Sequence, residues 1–402
     1  MPKVLRIINR FNLGGPTYNA AYLTKYMSPD FHTLLVGGMK DETEENSEYI
    51  VRNLGLVPFT IPEMRRSLNI FKDSIALKQI TEVIEDFKPD IVHTHASKAG
   101  ALGRRAAYNM KVPVIIHTFH GHVFDAYFSG FKSKIYQHIE RTLAKKTDKI
   151  IALSEVQKHD LVYKYKICQE EKVRVIPLGF DLCRFRENME EKRKEFRKDY
   201  LLDDDEIAIG IIGRLVPIKN HNLFLEGIKC ADEKSGKKIR AFIVGDGEEK
   251  HNIMSKCYSL GLDSVDFTHE KRKATVTFTS WIKNIDYVNA GMDIISLTSL
   301  NEGTPVSLIE AQASGNPIVT TNVGGIENIV IPGETALLSD YKTEGDYCNK
   351  LLTLIADEGM RERFGQNGWQ FVNKKFSYAR LIDDMKNLYY ELLDEKNQIR
   401  KY

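Results

Sequence analysis

NEGTPVSLIEAQASGNP, residues 301–317, lies between two β-branched runs, IISLTS at 294–299 and NPIVTTN at 316–322. Thr304 suits an N-cap, Pro305 the first helical position and Gly315 the helix end, so the stretch reads as loop, helix, loop. A helix joining two short apolar strands is the unit of a parallel sheet covered on both faces. The same stretch places Glu302 in the loop before the helix and Glu310 inside it. Backbone N–H groups at a helix start meet anionic or hydroxyl oxygens, and each carboxylate can accept two hydroxyl hydrogen bonds. That combination suits a sugar and a ribose rather than a metal.

Outward from this unit, short β-branched runs alternate with amphipathic helical stretches along the whole chain. The first series is VLRIINRFN, HTLLVGG, PFTIP, DIVHTH, PVIIHTFHG, KIIALS and VRVIPLGF. The second is IAIGIIGRL, IRAFIVGDG, VTFTS, IISLTS, NPIVTTN and TALLSD. Between them, residues 187–205 are highly charged and read as a solvated helix and loop rather than a core element. The expected organisation is α/β, two doubly wound Rossmann-like domains spanning 1–186 and 187–375, with 376–402 as a terminal helix packing back on the first.

A chain of 402 residues is too long for one ordinary core. Lys+Arg 57 against Asp+Glu 55 does not advertise nucleic-acid binding. Five cysteines (Cys168, Cys183, Cys230, Cys257 and Cys348) are scattered, odd in number and without a Cys-x-x-Cys pair, which is simplest in a reduced, cytoplasmic compartment. No apolar run approaches the ~20 residues of a spanning helix, so any membrane contact is peripheral, at the inner face of the cell membrane. The basic stretch FKSKIYQHIERTLAKKTDK, 131–149, carries Ile135, Ile139 and Leu143 at helical spacing and is the candidate for such docking. The same stripe could equally pack on the sheet.

Ligands of doubly wound sheets sit at the carboxyl ends of strands. After IAIGII comes GRLVPIKNH, whose Arg214 and Lys219 can hold a diphosphate and neutralise its charge as it leaves. In the first domain Gly14 and Gly15 allow a tight turn before a helix start that can meet a phosphate. His120 lies at the end of PVIIHTFH, with His122 next to it and Tyr127 in an aromatic run. His95 and Lys98 follow DIVHT. These histidines have no recognised metal spacing.

The spacing of Glu302 and Glu310, with Gly303, Thr304 and Pro305 after the first, resembles the E-x7-E signature of retaining glycosyltransferases of the GT-B fold, especially family 4. The resemblance spans nearly the whole chain and includes VGGIENIVIPGETALL at 323–338. It implies two domains facing across a cleft, the first binding the acceptor and the second a nucleoside diphosphate sugar, with UDP the expected nucleotide. It implies transfer with retention, no cofactor or metal, and a glycan or lipid-linked acceptor in bacterial surface-glycan assembly. By the same resemblance, Arg214 and Lys219 stabilise the leaving diphosphate and Glu302 with the backbone of Gly303 to Pro305 positions the sugar. Glu310 holds the ribose, Gly14 and Gly15 face the donor, and His120 contacts the transferred sugar. His95, Lys98, His122 and Tyr127 lie on the acceptor side. Two segments depart from the family: 266–284 is more basic than its usual base-contacting loop, and Thr17 stands where relatives carry a charge. A nucleotide-sugar 2-epimerase and a catalytically silent nucleotide-sugar scaffold are the alternatives.

Overall fold

The computed structural model describes residues 1–11, 15–38, 48–65, 69–120 and 131–399. The chain divides into two compact units, Met1–Phe180 with the segment from Phe376 onward, and Asp181–Lys375. Each is built on one seven-stranded sheet whose ladders are all parallel.

In the first unit the strands are β1 (Lys3–Ile8), β2 (His32–Gly38), β3 (Phe59–Ile61), β4 (Ile91–His95), β5 (Val114–Thr118), β6 (Lys149–Ala152) and β7 (Val173–Val175), in the order 3-2-1-4-5-6-7. Alternate residues feed opposite layers, as a sheet buried on both faces requires. Val4, Ile91 and Val114 pack with Leu381, Met385, Leu388 and Tyr389 of the helix Tyr378–Ile399. Their neighbours Leu5, Val92 and Ile115 pack with Ile80 and Ile84 of the helix Ile70–Phe87 and with Ala106. The terminal helix is therefore one covering layer of this sheet.

In the second unit the strands are β8 (Glu206–Ile212), β9 (Lys238–Val244), β10 (Ser264–Asp266), β11 (Val276–Ser280), β12 (Ile294–Leu297), β13 (Ile318–Thr321) and β14 (Ala336–Ser339), in the order 10-11-9-8-12-13-14. In each sheet the chain turns back to the first strand and continues on its other side, between β1 and β4 and between β8 and β12. Those two places are the topological switch points at which doubly wound sheets bind ligands.

Three sequence expectations need correction. The division falls between Phe180 and Asp181, not after Arg186. The short segment beyond Phe180 already belongs to the second unit, where Phe185 is buried and the Arg186 guanidinium lies 5.4 Å from the Trp369 ring. The charged stretch 187–205 is not merely solvated. Its helix Met189–Asp199 buries Phe196 completely against Phe242, Tyr200 and Tyr287. Finally, Cys230 and Cys348, 118 residues apart, form a disulfide. They sit on the helices His221–Lys234 and Asp346–Ala356, and a pairing created by tertiary packing leaves no mark on spacing.

Candidate functional site

The second unit assembles a site at its switch point, from the loops that follow β8 and β12. After β8 the chain makes a short 3-10 turn, Pro217–Lys219, then passes through Asn220 in the left-handed conformation into the helix His221–Lys234. The end of β12 grips this turn. Thr298 Oγ1 donates to the carbonyls of Lys219 and Asn220 at 3.2 and 3.0 Å, and the Leu300 N–H donates to the Ile218 carbonyl at 2.8 Å. Thr298 is wholly buried, so these bonds are shielded from water and fix one crossover against the other.

On this frame Lys219 and Glu302 meet. The Lys219 Nζ donates to Glu302 Oε1 at 2.5 Å, and the Ser299 hydroxyl donates to the same oxygen at 2.6 Å. The Lys219 and Glu302 side chains are 20% and 11% exposed, so the pair is partly dried and open at one side. Arg214 has a different setting. Its side chain is 69% exposed and stands 4.0 Å from a Glu248 oxygen, a contact worth little in water.

The loop carrying Glu302 rests on the turn after β13. The Gly325 N–H donates to the Glu302 carbonyl at 2.9 Å. A Cβ on Gly324 would come within 2.0 Å of that carbonyl oxygen, and one on Gly325 within 1.9 Å of the Gly303 carbonyl oxygen. Gly324 also has φ +54, in the region that favours glycine. The two glycines thus let two backbone segments touch.

The helix that follows, Val306–Ala313, is capped differently from the expectation. Pro305 is the N-cap rather than the first helical residue, because its ψ of 108° keeps it extended, and Thr304 lies before the cap. No side chain caps the first turn among the described residues; the Leu308 N–H donates to the Pro305 carbonyl at 3.2 Å, and the N–H groups of Val306 and Ser307 are left for water or a ligand. Gly303 is exposed beside them, and Gly315 ends the helix with φ +79. Glu310 is half-buried on the same helix. Burial pushes its carboxyl up to about 7 against the pull of Arg184, and Asp286 adds to the rise.

In the first unit, β4 and β5 place four histidines together. His95 Nδ1 lies 2.9 Å from His120 Nε2, so one of the two rings donates to the other. His93 is hydrogen-bonded to the hydroxyls of Tyr389 at 2.6 Å and Thr118 at 2.7 Å, and His117 to that of Thr94 at 2.8 Å. Arg6 reaches the Tyr389 hydroxyl at 3.1 Å. Burial lowers the His120 pKa to about 3. His93, His95 and His117 are held well below the usual range, first by burial, then by Arg6 for His93, by His93 for His95 and by Arg104 for His117. All four rings are neutral at pH 7 and offer hydrogen bonds, not charge.

Lys98 is neither a surface cation nor a free group. Its ammonium bonds the Arg65 carbonyl at 2.8 Å and pairs with Asp73 at 2.5 Å, with its side chain 9% exposed. Arg104 is buried and pairs with Glu140 at 2.7 Å. Of the basic helix Phe131–Lys145, Ile135 and Ile139 are exposed while Leu143 is buried. Gly15 opens the helix Gly15–Tyr26. Gly14, His122 and Tyr127 lie outside the described residues. Thr298, Ser299 and the Gly324–Gly325 platform carry no site role in the sequence reading, although Thr298 and Ser299 close the run IISLTS and the two glycines follow NPIVTTN after one intervening residue, at the strand ends where ligands bind.

The comparisons with known proteins cover both units. The family model described as Glycosyltransferase Family 4 matches residues 13–184, and that described as Glycosyl transferases group 1 matches residues 192–371. The chain is 28% identical over 340 residues to the UDP-Gal:alpha-D-GlcNAc-diphosphoundecaprenol alpha-1,3-galactosyltransferase of Escherichia coli, covering 84% of each chain. It is 28% identical over 337 residues to the capsular polysaccharide biosynthesis glycosyltransferase CapM of Staphylococcus aureus, covering 83% of this chain and 84% of CapM. Among solved structures, Anabaena HepE in complex with UDP matches with a TM-score of 0.78 and 16% identity, over 97% of this chain and 100% of that one. That likeness speaks to the fold.

Proposed function

We propose, for a chain that belongs to glycosyltransferase family 4 and has the GT-B fold, that it moves a sugar from a UDP-sugar, with retention and without a metal, to a lipid-linked diphosphate glycan in bacterial surface-glycan assembly. The observation that carries the reading is the Lys219–Glu302 pair beside the uncapped start of the helix Val306–Ala313. A cation, a carboxylate and helix N–H groups in one partly dried spot match the chemistry of a sugar bonded to a diphosphate.

In this reading Lys219 takes charge from the departing diphosphate, with Arg214 as the outer cation. Glu302 accepts hydroxyls of the sugar and Glu310 those of the ribose. Because the leaving oxygen gains negative charge, a fixed cation there lowers the barrier without a metal. The neutral His120 offers a hydrogen bond suited to an uncharged sugar hydroxyl. The printed substrates of the E. coli relative support a diphosphate-linked lipid as acceptor and UDP as carrier. On this reading the protein works at the cytoplasmic face of a membrane; among the described residues no helix is long and apolar enough to cross one.

The test is a panel of UDP- and GDP-sugars assayed with and without polyprenyl-diphosphate-linked acceptors, with product anomers read by NMR and chelator present throughout. Transfer from a UDP-sugar that needs the lipid acceptor, retains configuration and survives chelation is the expected result. Isomerisation of a free sugar nucleotide, or binding without turnover of any donor, would overturn it.

A further inference from the structure

Ser299 stands two residues beyond β12, wholly buried, with its carbonyl accepting the Thr321 hydroxyl at 2.6 Å. Its own hydroxyl donates to Glu302 Oε1, the same oxygen that Lys219 holds. Two donors on one carboxylate oxygen are redundant in the free protein. They are also unlike each other. Lys219 is a point charge on a flexible four-carbon stem, whereas the short Ser299 side chain springs from a buried, tethered backbone.

We propose that Ser299 is a positioning residue that keeps the Glu302 carboxylate in place when Lys219 turns from it to the diphosphate of the donor; the inference rests on the donor reading above. A nucleoside diphosphate carries more negative charge than one carboxylate, so it outcompetes Glu302 for the ammonium when both are in reach. Once Lys219 leaves, Glu302 loses its counter-ion in a half-dried site and would turn toward water. The Ser299 hydroxyl stays on Oε1, and the Gly325 N–H holds the Glu302 carbonyl from the other side. Oε2, which neither donor touches, is then free to accept a sugar hydroxyl. One charge transfer between Lys219 partners thereby couples diphosphate arrival to release of a correctly held carboxylate.

The experiment compares wild type with Ser299→Ala, a change of one oxygen that leaves the packing volume nearly intact, and with Ser299→Thr. Calorimetry with UDP alone should give Ser299→Ala an affinity within about twofold of wild type, since Ser299 is assigned no contact with the diphosphate. Its kcat should fall roughly 10- to 100-fold, the loss of a hydrogen bond to a charged acceptor, and Ser299→Thr should recover most of that loss. A crystal structure of the wild-type UDP complex decides the point without turnover: Lys219 Nζ should have left Glu302 with Ser299 Oγ still on Oε1. Undiminished kcat in Ser299→Ala with normal UDP binding, or a UDP complex in which Lys219 remains on Glu302, removes the role of Ser299 alone. A wild-type protein that binds no nucleoside diphosphate removes the donor reading with it.

Discussion

Glu310 sits in an environment unlike the one its letter predicts. A glutamate four residues into a helix is ordinarily a solvated carboxylate, yet burial lifts this one from 4.5 to about 7. The free native protein therefore keeps a proton that the unfolded chain has released, and stability falls as pH rises from about 4.5 to about 7. For ligand binding the consequence reverses. An ionised carboxylate accepts two hydroxyls more strongly than a neutral acid does, so affinity for UDP should climb as pH rises through about 7. Titration calorimetry at pH 6 and pH 8 would show this, with Glu310→Gln as the control that retains the ionisation of the diphosphate itself. Parallel pH profiles for the two proteins would show that Glu310 does not hold the ribose. At this scale chemical type and position are legible in the sequence, since Glu302, Arg214, Lys219 and His120 stand at or beyond the ends of strand runs and Glu310 in the helix that follows one. Partners are not legible there. The convergence of Lys219 and Ser299 on one oxygen, the Lys98–Asp73 pair and the Cys230–Cys348 link join residues far apart in the chain, and no local period encodes them.

Elements were more legible than contacts, because a sheet buried on both faces demands continuous apolar runs that few other structures use. Each of the thirteen β-branched runs covers one of the fourteen strands among the described residues, missing only Lys3, Glu206 and Lys238, the first residues of β1, β8 and β9. The exception is β10, Ser264–Asp266, a three-residue edge strand whose SVD sequence has a single apolar side chain. Helix starts were harder. The Pro305 cap and the bare first turn follow from how the 301–303 loop leans on the Gly324–Gly325 turn, which local sequence does not state. That leaning can be tested as an element property. In Gly325→Ala the new methyl would sit 1.9 Å from the Gly303 carbonyl oxygen, so the loop must shift by more than an ångström. Overpacking of this kind costs about 1–3 kcal/mol, and the shift should also carry Glu302 away from Lys219. Turnover should therefore drop far more than the change in unfolding midpoint accounts for. If Gly325→Ala loses stability but keeps wild-type kcat and KM, the platform has no part in aiming Glu302.

Across the whole molecule the two units differ in how they meet acid. The first holds His93, His95, His117 and His120 neutral in its interior, with His120 near 3 and the other three well below 6.5. The second has one lowered histidine among the described residues, His221, which burial and the nearby Lys219 bring to about 4. A histidine whose native pKa is depressed takes up a proton first in the unfolded chain. Its contribution to stability is complete above about 6.5 and is lost as pH falls toward the native value, by about 1.4 kcal/mol per pH unit for each ring. Four such rings make the first unit the acid-sensitive one, although composition alone, with near-equal charges and 11 histidines, gives no hint of where they cluster. The protein carries its own probe of the difference. Both tryptophans, Trp281 and Trp369, lie in the second unit. Tryptophan fluorescence thus follows that unit, while hydrogen exchange in peptides from β4 and β5 follows the first. On lowering the pH from 7 to 4, the protection of β4 and β5 amides relative to their intrinsic exchange rate at each pH should fall before the fluorescence transition begins, and His93→Gln should move its onset to lower pH relative to its own starting stability. Simultaneous transitions by both probes, or an onset indifferent to the histidines, would mean that the rings are not the groups through which acid acts.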